Sequence, residues 1–232
     1  QPTPGDDVEV VIDPESNRLQ RLTPFEAPNE AEYKSMSVLM KAEGKCTTDH
    51  ISPAGPWLRL RGHLEKLSDN LLLGAVNAFN NQIGKAKNVI TNNVQGCAEI
   101  AREYKKQNIS WVIVGDSNYG EGSSREHAAM TPRFLGCGAV LAKSFARIHE
   151  TNLKKQGILA LTFENSDDYD KIQEDDKISL IGLNKVAPNK PVKCIIGHKN
   201  NETDEVSLTH SYNDLQLEWF RAGSALNMMS NN

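Results

Sequence analysis

Cysteine is scarce in this sequence, and the few cysteines lie far apart. The four are Cys46, Cys97, Cys137 and Cys194, and no two of them form a C-x-x-C pair. Zinc and iron–sulfur sites use closely spaced cysteines, so the sequence by itself predicts no such site. Scattered single thiols are typical of free cysteines in a reducing, intracellular compartment rather than of a disulfide framework.

Long apolar runs and a dominant charge are also missing. No stretch approaches the ~18 apolar residues that span a bilayer, so we expect no membrane segment. The chain starts with QPTPGDD, which has neither a signal peptide's basic and apolar parts nor an initiator Met, so we expect a processed or truncated chain. A formal net charge of -4 disfavours nucleic acid or an anionic membrane as a partner, because either would require a concentrated basic face.

The remaining composition is that of one globular domain with an N-terminal arm. A chain of 232 residues with 38% hydrophobic and 24% charged residues is long enough to bury one core. Residues 1–33 are rich in Pro, Asp, Glu and Asn around two short apolar runs. This composition predicts an extended linker arm, laid over the surface of a domain formed by residues 34–232.

From Gly96 onward the pattern alternates between helix and strand. Short apolar runs predict strands at Met36–Met40, Trp111–Val114, Ala139–Ala142, Ile158–Phe163, Lys177–Ile181, Val192–Ile196 and Glu205–Thr209. Helical spacing predicts helices over 94–104, from near Ser124, over 145–155, and from Asp214 to about Met228. This alternation of strands and helices is typical of an α/β fold with a mixed, largely parallel sheet.

A glycine-rich loop, 115–122, follows the strand Trp111–Val114 and leads into the segment GSSREH at 122–127. Glycine permits close backbone approaches, and ligands of α/β proteins bind at the carboxyl ends of such strands. With Ser124 capping a helix, free N–H groups and the Arg125 guanidinium would face a carboxylate or phosphate. An ordinary helix start explains the same spacing, so both interpretations stay open. The loop is not a Walker or dinucleotide-binding motif, and there is no G-x-S-x-G elbow.

Three long motifs resemble the C-terminal swivel domain of mitochondrial-type aconitase. They are TTDHISPAGPW at 47–57, YGEGSSREHAA at 119–129 and KSFARIHETNL at 143–153, and the similarity continues through EWFRAGSALN at 218–227. The resemblance therefore covers nearly everything after the linker arm. It implies a swivel-domain fold, which is a three-layer β/β/α sandwich. It also implies the reversible isomerisation of citrate and isocitrate through cis-aconitate, a step of the tricarboxylic acid cycle.

The resemblance carries site residues over by position. Ser123 matches the family's catalytic base, which takes a proton from a substrate carbon. Three positions match substrate-binding residues: Arg61, Ser124 and Arg125. Three more match polar residues that line the cleft: Thr48, Asp49 and Ser52. Arginine forks suit a tricarboxylate because they bind carboxylates at two points. His127, Arg147 and His149 also lie inside matched motifs, and for these we expect structural roles.

The resemblance also implies a cofactor, partners and a location. In this family, hydroxide leaves with one iron of a 4Fe-4S cluster acting as a Lewis acid, and the three cysteine ligands belong to the other domains. We therefore expect no metal or cluster in this chain and no turnover by the chain alone. Expected partners are the tricarboxylate substrate (citrate, cis-aconitate or isocitrate) and the N-terminal cluster-bearing domains, with no nucleic acid and no membrane. The expected location is the mitochondrial matrix.

Three alternatives stay open at this point. The small subunit of an isopropylmalate isomerase-like enzyme shares the GSSREH motif, although the 47–57 motif and the long C-terminal match argue against it. Cytosolic aconitase relatives double as iron-regulated RNA-binding proteins, which the negative net charge and the variant with Glu121, Glu126 and His127 disfavour. The third alternative is a domain that folds but serves only as a structural unit.

Overall fold

The computed structural model describes residues 9–230, which contain nine strands and eight α-helices. The strands are β1 Met36–Lys41, β2 Lys85–Lys87, β3 Val94–Gly96, β4 Trp111–Gly115, β5 Cys137–Ala142, β6 Leu159–Phe163, β7 Lys177–Ile181, β8 Val192–Gly197 and β9 Thr203–Thr209. The helices are α1 Thr48–Ile51, α2 Leu64–Leu67, α3 Cys97–Lys106, α4 His127–Phe134, α5 Arg147–Lys155, α6 Asp168–Lys171, α7 Asp214–Ala222 and α8 Ala225–Ser230. Short 3-10 helices cover Glu30–Tyr33, Gly55–Leu60, Ser68–Asn70 and Leu183–Lys185.

Seven of the strands form one sheet that closes on itself in the order β1-β4-β5-β6-β9-β8-β7. Strands β1, β4, β5 and β6 are parallel neighbours, and the other four pairings are antiparallel. Parallel neighbours need crossover connections, and here the crossovers contain α3, α4 and α5. The mixed α/β fold is confirmed, and its parallel part consists of four adjacent strands.

Two apolar clusters separate three layers. Within β4, Ile113 packs with residues of α3, α4 and α5 in one cluster, whereas Val112 and Val114 belong to the cluster shared with the antiparallel strands. Successive residues of a strand point to opposite faces, so the parallel half is buried on both sides. The antiparallel half, the parallel half and the helices therefore form the β/β/α layers that the resemblance implied.

Residues 9–33 lie along the surface of the domain before the chain enters β1. This segment contains no strand and ends in a 3-10 helix. Arg133 Nη2 donates a hydrogen bond to Glu26 O at 2.7 Å, and Asn227 Nδ2 donates to Phe25 O at 2.6 Å. Residues 1–8 of the predicted arm lie outside the described residues, and the domain boundary at residue 33 stays a prediction.

Helix α4 begins at His127, so the predicted start near Ser124 is wrong. No side chain caps this helix. The preceding backbone is held by another loop instead, because Thr48 N donates to Glu121 O at 3.0 Å and Thr48 Oγ1 donates to Ser123 O at 2.7 Å. These contacts between distant parts of the chain hold the backbone of residues 121–123 outside the helix, whereas Glu126, directly before His127, has helical dihedrals.

The predicted C-terminal helix is two helices, α7 and α8. They are separated at Gly223, which has a φ of +90° and caps the end of α7. A left-handed glycine is a common helix terminator, so the signal was present in the sequence. No helix in residues 9–230 combines the length and the apolarity needed to cross a bilayer.

Candidate functional site

Two loops lie side by side at the carboxyl ends of β1 and β4. Gly120 N donates to Cys46 O at 2.8 Å, and the two bonds from Thr48 to Glu121 and Ser123 continue the contact. Parallel strands that are neighbours bring their following loops to the same edge of a sheet. The motifs at 47–57 and 119–129 are therefore one structural unit, although 61 residues of chain, 58–118, separate them.

The loop before Ser123 depends on two glycines in the left-handed region. Gly120 has a φ of +82° and Gly122 a φ of +99°. At Gly120 there is also no room for a side chain, because a Cβ atom would lie 2.1 Å from His149 Cδ2. Only glycine lets the backbone pass this close to the His149 ring, so the backbone role predicted for these glycines is confirmed.

A cleft of about 260 Å³ opens at this edge of the sheet. Ser123, Ser124 and Arg125 form part of its lining, and the start of α5, at 146–149, forms another part. The loop between β5 and α5 is fixed to the glycine loop, because Ala146 N donates to Tyr119 O at 3.0 Å. Both serines are exposed. Three sequence motifs thus meet around one small cleft.

Arg125 forms a two-point ion pair with Asp49. Nη1 lies 2.8 Å from Oδ1, and Nη2 donates to Oδ2 at 2.9 Å. The Arg125 side chain is 21% exposed and the Asp49 side chain 51% exposed. A guanidinium has five N–H donors, so this pair orients Arg125 and leaves donors for a ligand.

Of the other residues predicted to line the cleft, Thr48 and Ser52 are buried. Thr48 borders the cleft, but its hydroxyl donates to Ser123 O. Ser52 is 3% exposed and does not line the cleft, because its hydroxyl donates to Asn70 Oδ1 at 3.1 Å. Both hydroxyls hold the loop together, and a substrate contact for either stays a prediction.

Arg61 lies near the start of α4, but its side chain is not part of the cleft lining. The backbone carbonyl of Arg61 accepts a hydrogen bond from His127 Nε2 at 3.0 Å. The exposed Arg61 lines a separate depression with residues 16–19 of the arm. The structure therefore brings together Ser123, Ser124 and Arg125, while the substrate-binding role of Arg61 stays a prediction.

Two residues of the cleft, Arg147 and His149, were given structural roles from the sequence. Arg147 is exposed, and no carboxylate in residues 9–230 lies within ion-pair distance of it. His149 is 1% exposed, and neither ring nitrogen has a hydrogen-bond partner. Burial lowers the pKa of His149 from 6.5 to about 4, so the ring is neutral at pH 7. In the sequence, the position of both residues directly after β5 could have indicated that they lie next to the loop that follows β4.

Comparison with known protein families shows which family the chain that forms this cleft belongs to. Residues 36–166 match the family described as the aconitase C-terminal domain. The chain belongs to the aconitase C-terminal domain family. It is 56% identical over 227 residues to the mitochondrial aconitate hydratase of Gracilaria gracilis, which covers 97% of this chain and 29% of that protein. It is 56% identical over 220 residues to the enzyme of Saccharomyces cerevisiae, with 95% and 28% covered.

This aconitase C-terminal domain spans less than a third of the length of these curated relatives. A solved structure with a related fold is the 3-isopropylmalate dehydratase of Methanocaldococcus jannaschii. The TM-score is 0.55 at 25% identity, and the match covers 86% of this chain and 93% of that chain. The predicted family and the predicted swivel-type fold are both confirmed.

The cysteines of this aconitase domain do not suit an iron–sulfur cluster. All four are buried free thiols, and burial raises the pKa of each from 9.0 to about 12. Clusters bind thiolates, which this environment disfavours. Within residues 9–230, no three His, Cys, Asp or Glu side chains are grouped so that they could hold a metal ion. The donor set of the described chain therefore does not fit the cluster.

Proposed function

We propose that this chain is the C-terminal part of an aconitate hydratase. It supplies the base and part of the carboxylate-binding wall for the reversible isomerisation of citrate and isocitrate through cis-aconitate. The observation that carries the proposal is the cleft in which Ser123 lies beside Ser124 and the oriented guanidinium of Arg125. The aconitate hydratases that are 56% identical to this chain support it.

Ser123 is the proposed base, which accepts a proton from a substrate carbon. A serine hydroxyl is a poor base unless its alkoxide is stabilised by nearby positive charge and N–H donors. In the described chain, the backbone N–H groups of residues 123–127 have no intramolecular acceptor, so they are available as donors. The Arg125 guanidinium adds a positive charge at the same cleft. The exposed Ser123 side chain can therefore meet both a ligand and its stabilising groups.

Substrate carboxylates are the proposed partners of Ser124, Arg125 and Arg61. Burying a carboxylate without a cationic or hydrogen-bonding partner is strongly unfavourable, so a tricarboxylate site needs several such groups. Arg125 is already oriented by Asp49. The bond from His127 to the Arg61 carbonyl fixes the Arg61 backbone beside the first turn of α4. From there we propose that its guanidinium reaches a substrate carboxylate in the full-length protein.

The rest of the enzyme is proposed to lie outside this chain. Relatives more than three times as long support N-terminal domains as the main partner. Because the cysteines here do not fit a 4Fe-4S cluster, we propose that the cluster is held by those domains. The chain alone is expected to be inactive. The mitochondrial matrix is the proposed location, in line with relatives named mitochondrial.

A second candidate is the small subunit of an isopropylmalate isomerase-like hydro-lyase. The shared fold of the 3-isopropylmalate dehydratase favours it, because that match covers 93% of the archaeal chain. The identity of 25% is far below the 56% shared with aconitate hydratases, so we place it second.

Turnover by the full-length enzyme tests the proposal. We expect the wild type to convert citrate, but not isopropylmalate, and Ser123→Ala to lose about 10²–10⁴-fold in kcat, the usual contribution of a general base. Ser117→Ala is the matched control, since Ser117 is an exposed serine of the same loop outside the cleft lining. Turnover of isopropylmalate alone would favour the second candidate.

A further inference from the structure

The first turn of α5 faces the cleft with unused hydrogen-bond donors. The helix has nine residues, and its N-cap, Ala146, provides no side-chain cap. Within residues 9–230, the backbone N–H groups of residues 147–149 have no acceptor. The one acidic residue of this turn, Glu150, is held by Lys154 at 3.0 Å and by the Ser211 hydroxyl. The Glu150 carboxylate therefore does not accept hydrogen bonds from the free N–H groups of this turn.

Arg147 adds a full positive charge at the same place. It is the first residue of α5, it is exposed, and it lines the cleft together with Ser123, Ser124 and Arg125. Unlike Arg125, which is paired with Asp49, Arg147 has no carboxylate partner among the described residues. A carboxylate that entered the cleft would therefore meet a guanidinium with all of its donors available.

His149 gives independent evidence that this turn binds a ligand. The residue is 1% exposed, lines the same cleft, and has no hydrogen-bond partner for either ring nitrogen. Buried polar groups in folded proteins are almost always hydrogen-bonded, because an unpaired one is costly. The ring is packed under Gly120, and His149 borders the cleft, so a ligand bound there is the candidate for the missing partner.

We propose that Arg147, with the free N–H groups of the first turn of α5, forms a second carboxylate-binding position in the cleft. The ligand is a carboxylate of the same anionic substrate whose other carboxylate binds Arg125, so the inference rests on the proposed function. The two positions lie on different loops, one after β4 and one after β5. Together they select a substrate with more than one carboxylate.

The test is carried out on the full-length enzyme with Arg147→Gln, Arg147→Lys and a control, Lys155→Gln. Lys155 is an exposed cation at the opposite end of the same helix. We measure KM and kcat for citrate and the inhibition constant of tricarballylate, a tricarboxylate that cannot lose water. Arg147→Gln is expected to raise KM and the inhibition constant about 10–100-fold, the range for a lost charge-assisted contact. For Arg147→Lys, both constants are expected to lie between those of the wild type and those of Arg147→Gln. For the control, Lys155→Gln, both are expected to stay within twofold of the wild type.

An inhibition constant for Arg147→Gln within twofold of the wild type overturns the inference, even when kcat falls. The inhibition constant of tricarballylate measures binding alone, so a loss confined to kcat would indicate a structural role for Arg147. If Arg147→Gln does not fold, Arg147→Lys decides, since lysine keeps the charge but not the two-point contact. Ser123→Ala is assayed in parallel. Full turnover by Ser123→Ala contradicts the proposed function itself, whereas a dead Ser123→Ala with an unaffected Arg147→Gln contradicts only the second position.

Discussion

Arg125 and Asp49 are joined at two points, with Nη1–Oδ1 at 2.8 Å and Nη2–Oδ2 at 2.9 Å. The pair connects the loop after β1 to the loop after β4. Asp49 is half exposed, so the pair contributes no more than about 1 kcal/mol to stability. Its main effect is to hold the guanidinium in one orientation beside Ser124.

Asp49→Asn is therefore expected to lower kcat/KM of the full-length enzyme about tenfold. Freeing a positive charge attracts the substrate, but at this exposed position that gain is worth less than about 1 kcal/mol. Losing the orientation of a binding group costs more, because a displacement of about 1 Å can cost two orders of magnitude in rate. Steady-state kinetics on citrate check this prediction.

The control is Asp69→Asn, which breaks a similar pair with Arg102 (Nη2–Oδ1 2.7 Å) on another part of the surface. It should leave kcat/KM unchanged. If Asp49 acts through Arg125, adding Asp49→Asn to an Arg125→Gln enzyme lowers kcat/KM little further. If Asp49→Asn instead lowers kcat/KM by the same factor in the wild type and in Arg125→Gln, Asp49 acts by another route.

Gly120→Ala is expected to destabilise the chain more than Gly122→Ala. Both residues have positive φ, so both variants carry backbone strain of about 1–3 kcal/mol. Only at Gly120 does a Cβ clash with His149, at 2.1 Å, whereas the nearest atom at Gly122 is 3.8 Å away. Overpacking adds about 1–3 kcal/mol. Urea unfolding of the 232-residue chain measures the difference.

The double variant Gly120→Ala with His149→Ala separates the clash from the strain. Removing the ring relieves the clash, so the two changes together should cost at least about 1 kcal/mol less than the sum of the single changes. Additive costs would mean that the His149 ring is not what restricts position 120.

The buried His149 predicts a pH dependence of stability. Its pKa is lowered to about 4 in the folded chain, against 6.5 as its ordinary value, so the unfolded chain binds a proton more readily between these values. The free energy of unfolding should fall as the pH drops from about 7 toward 4, by on the order of 3 kcal/mol at about 1.4 kcal/mol per unit.

His149→Phe removes this contribution while keeping a ring of similar size. We expect the variant to be as stable as the wild type at pH 7 or more stable, since an unpaired buried polar group is removed. The free energy of unfolding of His149→Phe should exceed that of the wild type by a growing amount as the pH falls below 6.5. Parallel stability curves for the two proteins between pH 7 and pH 4 would contradict the burial of a neutral His149.

The central strands could be predicted because a strand that is buried on both faces has an unbroken run of apolar residues in the sequence. Trp111–Val114 and Ala139–Ala142 are unbroken apolar runs, and both are central parallel strands. The closure of the sheet could not be predicted, because β1 and β7 pair through contacts between residues about 140 positions apart. Periodicity carries no information on such distant pairing.

The position of the cleft could be predicted from the motifs, whereas geometry that depends on distant contacts could not. Ser123, Ser124 and Arg125 were assigned to one site by the resemblance, and all three line the cleft, while their roles stay predictions. The start of α4 was misplaced because the hydrogen bonds from Thr48 are not visible in the local sequence. A structural role was expected for Arg147, and nothing in the local sequence shows that this residue borders the cleft.

The most direct measurement of the central claim is proton exchange at the substrate carbon. Full-length enzyme is incubated with citrate in deuterated water, and deuterium entering the substrate is followed by mass spectrometry. If Ser123 is the base, Ser123→Ala loses exchange about 10²–10⁴-fold while still binding tricarballylate with wild-type affinity, and Ser117→Ala exchanges normally. Exchange by Ser123→Ala at the wild-type rate would contradict the assignment of the base to this chain.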